Sequence, residues 1–151
     1  MSVLLALWIV GVMPISARPR AKRVVMIALD GISVPGFTTA HTPNLDNLLA
    51  QGALSLTTRV VMPSVTLPNW TSHLTGSGPE QHGVVDNGWQ IDKKGFPAVE
   101  IDKEGYYPSV FKVMKEEIPE CKTAFYYNWI NLFYPYNKKY LDEPKFRSIL
   151  V

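Results

Sequence analysis

The chain has 151 residues, 46% hydrophobic and 19% charged, a length that buries roughly 70% of the unfolded surface in one core and a balance that excludes disorder, an acidic tail and a coiled coil. Fifteen Lys+Arg against thirteen Asp+Glu leave a net charge of +2, which gives no ground for a nucleic-acid duplex as partner, since such binding rests on many phosphate contacts. The single cysteine, Cys121, excludes an internal disulfide, and a zinc site here needs Asp, Glu, His or hydroxyl ligands.

The run from Val3 to Met13 is apolar but only about half as long as a membrane-spanning helix. With Pro14, Ser16 and Ala17 behind it, it suits the hydrophobic region and cleavage site of an export signal, cut after Ala17. No basic residue precedes the run, whereas Arg18, Arg20, Lys22 and Arg23 follow it, so a signal anchor or a misplaced start codon stays open. The expected organisation is a signal peptide over residues 1–17 and a domain over 18–151 that is exported to the periplasm or cell exterior, or held at a membrane by the first segment.

Val24 to Leu29 reads VVMIAL, a continuous apolar run predicting a strand buried on both faces of a parallel sheet and ended by Asp30-Gly31. Thr42-Pro43 supplies an N-cap and a first-turn proline, Leu45, Leu48 and Leu49 form a helical stripe, and Gly52 fits the C′ position. Ala53 to Val61 predicts a second strand, Met62 to Thr66 a loop, and Leu67 to Leu74 a helix that tolerates Pro68 in its first turn. Residues 88–108 collect Gly, Pro and Lys and read as an irregular excursion with room for a short hairpin. Ser109 then caps a helix carrying Val110, Val113 and Met114, Pro119 helps to stop it, and Lys122 to Trp129 is a third strand. This order implies an α/β fold, a mainly parallel sheet flanked by helices, incomplete at the C-terminus because a doubly wound sheet normally grows further.

Ligands of open α/β sheets bind beyond the carboxyl ends of the strands, where Asp30 stands with a carboxylate able to hold a cation. Asp-Gly is equally an ordinary turn pair. Thr66 lies just before a helix start, where free N–H groups and the dipole favour phosphate and its hydroxyl is a candidate nucleophile; it is equally an N-cap. Asn87 offers an uncharged amide donor, and is equally a turn residue. Asn69-Trp70-Thr71 has the form of a glycosylation sequon and reads as chance. The aromatics Phe125, Tyr126, Tyr127, Trp129, Phe133, Tyr134 and Tyr136 read as core packing, with Trp129 the one placed to line a pocket.

Four segments in one order, VVMIALDG, TPNLDNLLAQG, PSVTLPNWTSHLTG and PEQHGVVDN, make the stretch from Val24 to Trp129 similar to the type I phosphodiesterase/nucleotide pyrophosphatase family of the alkaline phosphatase superfamily. The resemblance implies an alkaline-phosphatase-like fold and a hydrolase of phosphodiester or pyrophosphate bonds acting on a small phosphate ester such as a nucleotide or phosphodiester, with no stable protein partner. It makes Asp30 a metal ligand, Thr66 both nucleophile and ligand of the same metal, and Asn87 a donor to a non-bridging phosphate oxygen, beside two divalent ions, Zn²⁺ by the family pattern. Trp70 stands where the sulfatase branch carries Arg, which argues against sulfatase chemistry. The family's later ligands, an Asp-x-x-x-His pair, an adjacent Asp-His and a further His, are missing from this chain, and His41, His73 and His82 read as non-ligands. The expectation is therefore an N-terminal portion of the enzyme, inactive alone; the alternative is a truncated non-catalytic remnant or a phosphate- or metal-binding module.

Overall fold

The computed structural model describes residues 22–93 and 95–147; the expected export segment, residues 1–17, lies outside them. The chain divides into two compact units, residues 1–32 and 33–151. In the described part of the first, the predicted strand Val24 to Leu29 is not formed. The segment is irregular, and Val24, Val25 and Ile27 are each at least 80% exposed. The apolar pattern is that of a buried strand, but a strand of this kind persists only when neighbours complete its ladder and helices cover its faces. The sheet of the described residues supplies it no such partner. The Asp30-Gly31 turn does form, with Gly31 at φ 74°, where a residue with a Cβ is strained.

In the second unit, α1 (Val34–Thr39) begins at Ser33, whose hydroxyl accepts the Gly36 N–H at 3.1 Å, with Pro35 in its first turn. The helix was not legible from apolar spacing, because none of its residues is buried. α2 (Pro43–Leu49) starts after Thr42 as expected; its C-cap is Ala50, so Gly52 falls beyond the C′ position. The predicted strand Ala53 to Val61 is likewise irregular, and exposed up to the half-buried Val61, for the same want of a covered ladder.

The remainder is packed. α3 (Thr66–Thr75) buries Leu67, Pro68, Thr71 and Leu74 and ends at Gly76 in the left-handed region, φ 69°. α4 (Pro79–His82) is a single turn closed by Gly83, φ 73°. Residues 88–108 form turns, without a hairpin among the described residues. α5 (Val110–Glu117) starts after Ser109, but Phe111 is the residue it buries, while Val110 and Val113 are exposed.

β1 (Ala124–Tyr127) falls inside the third predicted strand and pairs in parallel with β2 (Glu143–Phe146), in register from Ala124 opposite Glu143 to Tyr127 opposite Phe146. Two 3₁₀ turns, Ile130–Phe133 and Lys138–Tyr140, make the connection. Asp142 locks the starts of both strands: its Oδ2 accepts the Thr123 N–H at 2.8 Å and the Lys115 ammonium at 2.6 Å. The Lys115 contact, then the Thr123 N–H, hold that carboxyl well below the usual range.

Helices beside a parallel sheet are compatible with an α/β class, although among the described residues the extended sheet expected from the sequence is a single strand pair. One core cluster joins Leu74, Phe111, Tyr127, Phe133, Tyr136 and Leu141; a second joins Leu67, Val84 and Trp89, with Trp129 packed against it. Tyr127 and Phe133 stack at 5.0 Å, and Phe125 packs against the first cluster. These aromatics therefore serve the core, as their sequence setting suggests, whereas Tyr126, read with them as core, is 56% exposed because it points off the other face of β1 and donates its hydroxyl to Glu143.

Candidate functional site

α3 carries Thr66 as its first residue. The N-cap is Val65, in extended conformation and without a side-chain cap bond, so the threonine sits one place further into the helix than the N-cap reading has it. The residue is half-buried, and its hydroxyl makes no capping bond and has no hydrogen-bond partner among the described residues. Behind it Leu67 is 0% exposed, Thr71 Oγ1 donates to the Leu67 carbonyl at 2.7 Å, and the buried Tyr136 hydroxyl donates to the Trp70 carbonyl at 3.2 Å. The first turn is thus anchored from below by the core while its open end faces outward.

Asn87 meets that open end. Its Oδ1 accepts the Leu67 N–H at 2.8 Å, a contact between residues twenty apart in sequence. Asp86 accepts the Gly88 N–H at 2.7 Å and shapes the turn, and Asn131 Nδ2 donates to the Asn87 carbonyl at 2.8 Å. With Oδ1 committed, the exposed Asn87 Nδ2 is left as a donor with no partner among the described residues. Two of the three positions picked out from the sequence, Thr66 and Asn87, are brought together.

One expectation is corrected. The amides after Thr66 are not open to a phosphate: the Leu67 N–H is bonded to Asn87, Pro68 has none, and the Asn69 N–H donates to the Val65 carbonyl at 3.3 Å. The donor left at this helix end is the N–H of Thr66 itself, beside Asn87 Nδ2, and the positive end of the helix dipole adds to both.

Asp30 belongs to the first unit. Its Oδ1 accepts the Gly31 N–H at 2.8 Å, and Oδ2 has no partner among the described residues. Two of the three histidines are held by hydrogen bonds within the chain. His82 is 2% exposed; its Nδ1 accepts the Val84 N–H at 3.0 Å, which puts the ring proton on Nε2, donating to Ser72 Oγ at 3.0 Å. No lone pair remains for a metal. Burial lowers its pKa to about 4 against a smaller upward pull from Glu80. His73 uses Nδ1 on the Asn69 carbonyl at 2.8 Å, and His41 is exposed between α1 and α2. Among the described residues no three of His, Cys, Asp and Glu group as a metal cluster.

Two contributors escaped sequence reading. Asn69 lies inside the nucleophile segment, where its sequon form drew attention away from its amide. Its Oδ1 accepts the Val61 N–H at 2.9 Å, and its Nδ2 donates to the carbonyls of Val65 at 2.8 Å and Pro63 at 3.3 Å. Asn131 stands in a 3₁₀ turn with no local pattern to mark it.

The family described as type I phosphodiesterase / nucleotide pyrophosphatase matches residues 24–146. Ectonucleotide pyrophosphatase/phosphodiesterase family member 3 of Mus musculus is 35% identical over 66 residues, 42% of this chain and 8% of that protein. Venom phosphodiesterase of Macrovipera lebetinus is 23% identical over 148 residues, covering 72% of this chain and 17% of the relative. Bis(5'-adenosyl)-triphosphatase enpp4 of Mus musculus is 30% identical over 83 residues, 54% of this chain and 18% of its own length. The chain therefore spans less than a fifth of the length of these curated relatives. No solved structure matches it.

Proposed function

Since this chain belongs to the type I phosphodiesterase / nucleotide pyrophosphatase family, we propose that it carries the nucleophile half of a metal-dependent hydrolase of phosphodiester or pyrophosphate bonds, as the N-terminal portion, residues 18–151, of an alkaline-phosphatase-like catalytic domain. The observation that carries this reading is the 2.8 Å bond from the Leu67 N–H to Asn87 Oδ1. It joins two separate sequence segments so that an unpartnered hydroxyl and an unpartnered amide donor share one helix end, an arrangement that chance turn and cap residues have no reason to adopt.

Thr66 Oγ1 is the proposed nucleophile: it forms the new bond to phosphorus while the bond to the leaving oxygen breaks on the opposite side, and water later cleaves the threonyl ester. Asn87 Nδ2 and the Thr66 N–H donate to a non-bridging oxygen, where negative charge grows in the transition state. A threonine hydroxyl is a weak nucleophile unaided. Two divalent ions, zinc by family resemblance, complete the reading; by that same resemblance Asp30 and Thr66 would each give the first ion an oxygen of the kind zinc accepts. Such an ion, when bound, lowers the pKa of a coordinated hydroxyl and offsets charge on the attacked phosphate.

The substrate class is a small phosphate ester, a nucleotide or another phosphodiester, in keeping with the names of the relatives. Export is proposed from the apolar first segment, residues 1–17; no helix among the described residues is long and apolar enough to cross a membrane.

The test is turnover of a p-nitrophenyl phosphodiester by protein expressed from the complete gene. Thr66→Ala should lose more than about a hundredfold in kcat/KM, the scale of groups that act in the transition state, while Thr66→Ser keeps a substantial share. Near-normal turnover by Thr66→Ala would remove the nucleophile assignment.

A further inference from the structure

We propose that Asn69 is the positioning residue of this site: its side-chain amide clasps the segment from Val61 to Val65 and thereby fixes where Thr66 presents its hydroxyl. The inference rests on the reading of Thr66 as nucleophile and adds a residue to it.

The segment has little else to hold it. It belongs to no strand or helix, and its apolar side chains give little burial, with Val61 and Pro63 half-buried and Met62 76% and Val65 39% exposed. With little burial and no ladder, the conformation of such a stretch leans on its hydrogen bonds. One internal bond, from the Val65 N–H to the Pro63 carbonyl at 2.8 Å, closes a local turn. The bonds that tie the segment to α3 come from Asn69: Oδ1 takes the Val61 N–H, and Nδ2 reaches the carbonyls of Val65 and Pro63. Val65 immediately precedes the threonine, so fixing its carbonyl fixes the peptide plane from which Thr66 begins.

The chemistry requires an amide. Two backbone acceptors and one backbone donor must be met by one short side chain, and only a primary amide offers both kinds of atom at that reach. The same partners define which end is oxygen and which is nitrogen. Asp at this position has Asn's shape but no donors, and would set a charge against two carbonyl oxygens. Asn69 touches neither the reacting hydroxyl nor Asn87 in any hydrogen bond of the site, so its effect passes through the backbone. Misplacing a reacting group by about 1 Å costs up to about a hundredfold in rate.

The experiment compares Asn69→Asp, Asn69→Ala and Thr66→Ala in protein expressed from the complete gene, with Asn69→Ser standing in for either Asn69 variant that fails to fold. With a p-nitrophenyl phosphodiester as substrate, the Asn69 variants should lose about 10- to 100-fold in kcat with KM held within about threefold. The Val61 amide, followed by NMR hydrogen exchange, should exchange at least about tenfold faster in Asn69→Ala or Asn69→Ser than in the parent chain. An unchanged Val61 exchange rate would show that the clasp does not form. Faster Val61 exchange with kcat unaltered, or a change in KM alone, would show that it does not position the hydroxyl. Thr66→Ala separates the two failures: retained turnover there sinks the nucleophile reading, whereas its loss alongside fully active Asn69 variants sinks the inference about Asn69.

Discussion

Acidification should loosen the segment that carries Asn87, through His82. This imidazole is 2% exposed, and its Nδ1 accepts the Val84 N–H; a proton placed on that nitrogen turns the acceptor into a donor and sets two N–H groups against each other. Burial is the leading reason its folded pKa falls from 6.5 to about 4. The unfolded chain therefore takes up a proton first. Stability from this residue is fully present above pH 6.5 and is lost as the pH falls toward the folded value near 4, at about 1.4 kcal/mol per pH unit within the window, about 3 kcal/mol in all. Carboxylates such as Asp142 and Glu143, whose pKa values are held down by Lys115 and Lys145 respectively, act in the opposite part of the range, losing their contribution only below their unfolded values. Urea unfolding between pH 7 and pH 4.5 isolates the histidine, and the midpoint should drop by about 1 M per pH unit near the middle of that window. His82→Gln should flatten the dependence. If the variant kept the parent slope, or if the His82 ring titrated near 6.5 by NMR, the burial argument would be refuted.

Gly83 stands at φ 73°, and a Cβ there would meet the Phe96 carbonyl oxygen at 2.7 Å and the Ala98 nitrogen at 3.0 Å; Gly83→Ala should cost about 2 kcal/mol or more, read as a fall in thermal unfolding temperature, and an unchanged temperature would contradict the close approach. Asn131→Ala removes the donor that holds the Asn87 carbonyl and should lower kcat about three- to tenfold, an effect absent from a background already carrying Asn87→Ala. Secretion from a host cell should give a mature protein beginning near Arg18 by N-terminal sequencing; intact Met1 on soluble cytoplasmic protein would refute export.

What was legible in the sequence was what local chemistry decides. Pro43 opens α2 and Pro68 sits in the first turn of α3 because the missing proline N–H costs nothing within the first turn of a helix, although the Thr42 side chain makes no cap bond. The strand reading of VVMIAL and of Ala53 to Val61 failed because apolar runs state only what a segment would bury, and burial depends on elements far away in sequence. α5 shows the same limit: Val110, Val113 and Met114 make a plausible stripe, yet the aromatic cluster below selects Phe111. Thr66 and Asn87 were legible as candidates by chemical type, but the bond between Leu67 and Asn87 is a tertiary contact. Asn69 was overlooked because asparagine signals many things, and its three backbone partners appear only once the loop before α3 has folded back.

The clasp also bears on how the chain is made. Asn69-Trp70-Thr71 satisfies the acceptor rule for N-linked glycans, which modify Asn through the same nitrogen that here reaches Val65 and Pro63. One nitrogen cannot carry a sugar and still give both hydrogens to those carbonyls, so glycosylation would cost the loop at least one of its three side-chain bonds. In a secretory route equipped for such modification, folding of α3 and attachment of the sugar become a race. A molecule modified first would carry a heavier mass and a looser segment ahead of α3.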